Sequence, residues 1–181
     1  VPMALPQFYW LWAPTNFPDL SLFAHVNEDE TGAPWNSRAA LAMDGAGQGE
    51  VLHLKDEHFT VDWLPGTRHA RSARLDVVDP SGRDHQVTWT PIAQFQMKGI
   101  GYGHPDWTHG GWKGELAVAR EDFRPDALDP LLSPHLQVQT LCRELNEGGG
   151  AASDGIGIVE QLVIGPHHPS GFVGLNDGAG S

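Results

Sequence analysis

The feature that most constrains this chain is its punctuation. Short apolar or alternating runs recur at roughly 8–12-residue spacing, separated by Gly, Pro, Asp and Asn, without sustained helical periodicity. Runs of that length suit strands better than helices that must bury a continuous stripe. The expected fold is therefore all-β, an antiparallel β-barrel or bent β-sandwich of about eight or more strands.

Taken in order, residues 7–14 (QFYWLWAP) form a continuous aromatic run that suits a strand buried on both faces or the start of a barrel. Residues 21–27 alternate, with Leu22, Ala24 and Val26 on one side and Phe23 and His25 on the other. Further strands are expected at 35–43, 50–63, 73–78, 86–90 and 114–120. Asp79-Pro80-Ser81-Gly82 is a hairpin turn signal. Residues 128–145 are ambiguous between helix and strand, and the alternation from His135 favours a strand. Residues 155–164 (GIGIVEQLVI) form the last strand. A single domain is expected over 1–173, with a small, polar, flexible tail over 174–181.

The 181 residues are 40% hydrophobic and 19% charged, which fits one globular domain with a core of useful size. A net charge of −12 argues against nucleic acid and anionic membrane surfaces as partners. The lone cysteine, Cys142, forbids an internal disulfide and fits a cytoplasmic location. It reads as a small core residue rather than a nucleophile. No apolar run approaches the ~20 residues of a spanning helix, and no signal-peptide pattern opens the sequence. A chain beginning Val1-Pro2-Met3 is expected to be a processed or excised piece.

Candidate chemistry concentrates in residues 99–115, where Tyr102, His104, Asp106, Trp107, His109 and Trp112 are interleaved with six glycines. One reading is a wide turn with aromatic anchors. The other is a pocket rim with acid/base groups, in which a histidine moves protons near neutral pH and a carboxylic acid among tryptophans gives one up. Glu160 lies within Ile158-Val159-Glu160-Gln161-Leu162-Val163. Either it points where the apolar residues of its parity point, or Val159, Gln161 and Val163 face the core and Glu160 is solvated. His167-His168 forms a second histidine cluster. The spacing of these histidines matches no standard zinc motif, so neither a metal nor another cofactor is expected. Nucleophile-elbow, phosphate-loop and dinucleotide fingerprints are missing as well.

Four motifs (7–19 QFYWLWAPTNFPD, 27–41 NEDETGAPWNSRAAL, 99–114 GIGYGHPDWTHGGWKG and 155–172 GIGIVEQLVIGPHHPSGF) together resemble a bacterial family of lipocalin-like proteins. That family looks like a distant relative of the carotenoid 1,2-hydratases (hydroxyneurosporene synthases), in the superfamily that includes tocopherol cyclase and fungal Diels–Alderases. The resemblance implies a lipocalin-like barrel and cofactor-free chemistry on apolar, isoprenoid- or polyene-like substrates. Such proteins usually carry two barrels, whereas this chain is long enough for about one. A second lipocalin-like barrel, or a second copy of the chain, is therefore an expected partner beside the apolar small molecule.

Two function classes remain. The first is a lyase or isomerase that hydrates, dehydrates or cyclises an alkene-bearing apolar substrate by acid catalysis. Its expected catalytic residues are Asp106, His104, His109 and Glu160, and Tyr102, Trp107, Trp112 and His167 would line the ligand site. The second is a binding or carrier barrel for an apolar ligand, without turnover.

Overall fold

The computed structural model describes residues 7–43, 49, 51–96, 114–116, 122, 124, 127, 129, 135–146, 153–175 and 177–180. Among them are ten strands: β1 Phe8–Trp12, β2 Thr15–Asn16, β3 Leu20–Glu28, β4 Pro34–Met43, β5 Val51–His53, β6 Lys55–Trp63, β7 Ala70–Val78, β8 Asp84–Gln96, β9 His135–Asn146 and β10 Ser153–Ile164. All belong to one antiparallel sheet with the order β5-β4-β3-β1-β10-β9-β8-β7-β6. The short β2 continues the lane of β1, pairing with β10 on one side and β3 on the other. The all-β expectation holds.

The two ends of that order, β5 and β6, are consecutive in sequence and separated only by Leu54. Within this run the chain changes partner, since β5 pairs with β4 and β6 pairs with β7. At the switch, Leu54 N–H donates to Ala39 O at 2.9 Å, and the Ser37 hydroxyl donates to the Glu57 carboxylate at 2.6 Å. One continuous stretch thus joins the sheet's first and last lanes, and the sheet curls into a barrel-like body. Closure of this kind leaves little free strand edge.

Alternation decides the lining. Leu22, Ala24 and Val26 of β3 are buried and Phe23 is exposed, as the sequence pattern requires. β1 fits the barrel-start reading of the aromatic run and not the two-sided one. Tyr9 and Leu11 point into the core, whereas Phe8, Trp10 and Trp12 are half-buried on the outer face. An unbroken aromatic run hides its own parity, because a large ring can cover surface as well as fill a core. The interior is filled by Leu11, Phe59, Leu75, Trp89 and their neighbours. The Trp89 ring stacks near Phe59, and its indole N–H donates to Thr15 Oγ1 at 2.8 Å.

Two hairpins share one turn chemistry. Asp29 Oδ1 accepts from Thr31 N, Thr31 Oγ1 and Ala33 N. Asp79 Oδ1 accepts from Ser81 N, Ser81 Oγ and Arg83 N. Each turn then needs a left-handed residue, and Gly32 and Gly82 both supply φ of 85°.

Two expectations fail. Of the strand expected at 114–120, Glu115 and Leu116 form a turn after Gly114, whose φ of 126° lies outside the strand region, and 117–120 lie outside the described residues. The tail is docked over its described part. Gly66 N–H donates to Ala179 O, Ala179 N–H to Thr67 O and Gly165 N–H to Leu175 O. Gly178 lies so close to the Gly66 backbone that a Cβ there would collide with it. Composition suggested fraying, but small residues also permit this close backbone approach.

Candidate functional site

The β1–β10 pair sets the geometry. Register places Tyr9 opposite Val163, Leu11 opposite Gln161 and Trp12 opposite Glu160. Opposed residues share a face. Val159, Gln161 and Val163 therefore face the interior with Tyr9 and Leu11, and Glu160 and Leu162 face outward with Trp12 and Trp10.

Glu160 matches neither reading of the sequence in full. It points away from the barrel core, yet it is only 3% exposed. Its cross-strand row continues from Trp12 to His25 and Arg38 on one side and to Gln137 on the other. Around it the outer face is aromatic: the Trp12 and Phe23 rings meet edge-on at 6.3 Å, and Phe23 meets His25 at 5.5 Å. A carboxyl removed from water on an aromatic face, opposite a tryptophan, is a setting in which enzymes place an acid.

His167 lies on the other side of the sheet. Its ring stacks on inward-facing Tyr9 at 3.9 Å. Nε2 is 2.8 Å from Glu28 Oε2, and Nδ1 is 2.8 Å from Ser170 Oγ. The backbone explains the last contact. His167 precedes a single 3-10 turn, His168–Ser170, whose three-residue period brings positions i and i+3 to one side. Glu28 arrives from the end of β3. When Glu28 is ionised and His167 neutral, Nε2 donates to the carboxylate, which only accepts, and Nδ1 accepts from the Ser170 hydroxyl. Burial first, then the nearby Glu28 carboxylate, push the Tyr9 hydroxyl well above its ordinary range, against a smaller opposing effect of its hydrogen bond to Ser170.

A third buried polar centre ties loop 64–69 to the tail. Arg68 is 1% exposed. Its guanidinium donates to Gly165 O, Gly174 O, Asp177 O and Asp177 Oδ1, and it lies over the Phe172 ring at 4.4 Å. Burial works against the Asp177 carboxylate, but the Val173 and Gly174 amides and Arg68 hold it below its usual range. Gln161, fully buried, accepts from Ala70 N and donates to Arg68 O. These contacts fix the loop against the end of β10.

Of the expected site residues, Tyr102, His104, Asp106, Trp107, His109 and Trp112 lie outside the described residues. Glu160 and His167 are described, and the sheet separates them onto opposite faces. His168 is exposed while His167 is buried, so the two neighbouring histidines do not act as a pair. The sequence reading missed Glu28, Ser170, Tyr9 and Arg68. The His–x–x–Ser spacing ahead of Gly171 was a usable signal for Ser170. Nothing local marked Glu28, which sits in an acidic turn, or Arg68, which follows Pro65-Gly66-Thr67 as a surface arginine would.

Among the described residues, no helix is long and apolar enough to cross a membrane. No curated protein and no solved structure matches the chain. A family model matches residues 2–173, the span that contains all ten described strands, and the chain accordingly belongs to DUF8625, a family of unknown function.

Proposed function

We propose that this chain is a cofactor-free lyase or isomerase that hydrates, dehydrates or cyclises an apolar, isoprenoid- or polyene-like substrate by acid–base chemistry on a lipocalin-like barrel. The observation that carries the reading is the 3% exposure of Glu160 on an aromatic outer face, directly opposite Trp12. The motif resemblance supplies the substrate class.

In this reading the Glu160 carboxyl gives its proton to an alkene carbon. The Trp10 and Trp12 rings favour the resulting carbocation by cation–π attraction. Water then adds to the carbocation and returns a proton to the Glu160 carboxylate, or a neighbouring C–H gives that proton back. Asp106 is the alternative acid.

Mass spectrometry of ligand co-purifying with the protein, followed by product analysis on that ligand, tests the proposal. Glu160→Gln keeps size and hydrogen bonding but cannot supply the proton, so turnover should fall by about 10²–10⁴ with ligand still bound. If Glu160→Gln and Asp106→Asn both keep wild-type turnover, carboxylic-acid catalysis is wrong. A bound apolar ligand that no form of the protein converts would favour the carrier reading.

A further inference from the structure

The Glu28–His167–Ser170 chain takes no part in the reaction proposed above, and it lies on the opposite side of the sheet from Glu160. Both of its hydrogen bonds are 2.8 Å long, and His167 is buried. Its direction follows from donor arithmetic. With His167 neutral, Nε2–H points to the Glu28 carboxylate, which only accepts, and Nδ1 accepts from the Ser170 hydroxyl, whose oxygen accepts in turn from the Tyr9 hydroxyl.

The turn does not need this relay to hold its shape. Ser170 N–H donates to His167 O, Gly171 N–H to His168 O, and His167 and Phe172 exchange two backbone hydrogen bonds. Gly171 supplies the left-handed φ of 76° that ends the turn. Ser170 is half-buried beside exposed His168, Pro169 and Gly171, and its hydroxyl meets the buried His167 ring. A hydroxyl that gives its proton to an imidazole oriented by a carboxylate is the arrangement of an activated nucleophile. Here the hydroxyl is on Nδ1 and the carboxylate on Nε2, the reverse of the serine-protease order.

We propose that Ser170 is a nucleophile, with His167 as its general base and Glu28 as the positioning residue, that takes an acyl group from activated carboxylic esters. Ser170 Oγ attacks the carbonyl carbon as its proton passes to His167 Nδ1. The tetrahedral intermediate collapses, the bond to the leaving alcohol breaks, and that alcohol takes the proton from Nδ1. Water repeats the sequence on the acyl-serine, releasing the carboxylic acid and restoring the hydroxyl. The amides of residues 167, 168 and 170–172 are all committed to backbone acceptors. None of them can stabilise the oxyanion, so covalent capture is a better readout than turnover.

The test is labelling of the native protein by a reporter-tagged fluorophosphonate, with the adduct mapped by peptide mass spectrometry. One adduct is expected, on Ser170, and Ser170→Ala removes it. Glu28→Gln and His167→Gln should each slow it by about 10²-fold or more, with circular dichroism unchanged. Glu28→Gln decides the matter whether or not His167→Gln folds: a folded Glu28→Gln protein that labels at the wild-type rate overturns the proposal. So does the absence of an adduct on native protein, or an adduct on another residue. Because Glu160 plays no part in this labelling, failure here leaves the acid–base reading standing, and the converse also holds.

Discussion

The Gln161 carboxamide accepts a hydrogen bond from Ala70 N–H at 2.8 Å and donates another to the carbonyl of Arg68, so a side chain of β10 completes the backbone of the β6–β7 connection. All three groups are buried. A leucine of similar size at position 161 would leave one amide and one carbonyl without a partner. Each such loss costs about 1–3 kcal/mol. Urea unfolding of Gln161→Leu should therefore show a lower midpoint, by more than an Ile→Val-type core change produces.

Arg68 provides a second measurable effect. Its guanidinium serves three carbonyls and one carboxylate from a position with almost no access to water. Arg68→Met should destabilise by about 3–5 kcal/mol, the usual cost of removing one partner from a buried pair. Arg68→Lys should recover little, because an ammonium cannot reproduce the planar fork. Denaturant unfolding measures both. Faster proteolytic removal of the tail from residue 174 onward in either variant would confirm where the loss acts.

Acid should weaken the fold through its turn and tail carboxylates. Asp79 is held far below its ordinary range, chiefly by the Ser81 hydroxyl and the Arg83 amide. Asp29 is lowered by Thr31 and Ala33, and Asp177 is also lowered. A carboxylate with a depressed folded pKa stabilises the native state above its unfolded value of about 3.9. That contribution disappears as pH falls through the folded values. The melting temperature should thus hold above about pH 4 and decline below it. The gap between wild type and Asp79→Asn should be largest near neutrality and should narrow as pH falls toward 2. A gap that widens with acid would contradict the assignment.

Gly155 is the fourth test. A Cβ at this position would lie 2.5 Å from Asn16 O and 2.6 Å from the Phe17 ring, so β10 can pass β2 only without a side chain. Gly155→Ala should cost about 1–3 kcal/mol by overpacking. Thermal melting of the variant checks this. An unchanged melting temperature would mean that the lane shared by β1 and β2 shifts freely.

Much of the fold was legible from periodicity and turns alone. The parity of β3, the Asp79 hairpin, the start of β9 at His135 and the final strand all follow from period-two alternation bounded by Gly, Pro and Asp. These are local properties, fixed by φ/ψ preference and by side-chain hydrogen bonds to the nearest backbone. The sequence also showed that residues 50–63 form one extended run. It did not show that this run changes partner at Leu54 and so joins the two ends of the sheet, because the partners β4 and β7 are chosen by long-range pairing.

The candidate sites divide along the same line. The residue types in 155–172, including a carboxylate within an apolar strand and histidines after Gly165-Pro166, were visible in the sequence. Their meaning was not. Alternation gives Glu160 a face but not its burial, which depends on what packs over that face. Spacing can pair His167 with Ser170 three residues later, but Glu28 is 139 residues distant and reaches the same ring only because β1 lies between β3 and β10. Arg68 likewise reads as an exposed arginine until the tail folds back onto it. The sequence alone determined most of the strands, their turns and the parity of β3, because those depend on near neighbours. Tertiary structure decided the barrel closure, the burial of Glu160 and the polar clusters around His167 and Arg68, because each needs groups that only the completed sheet brings together.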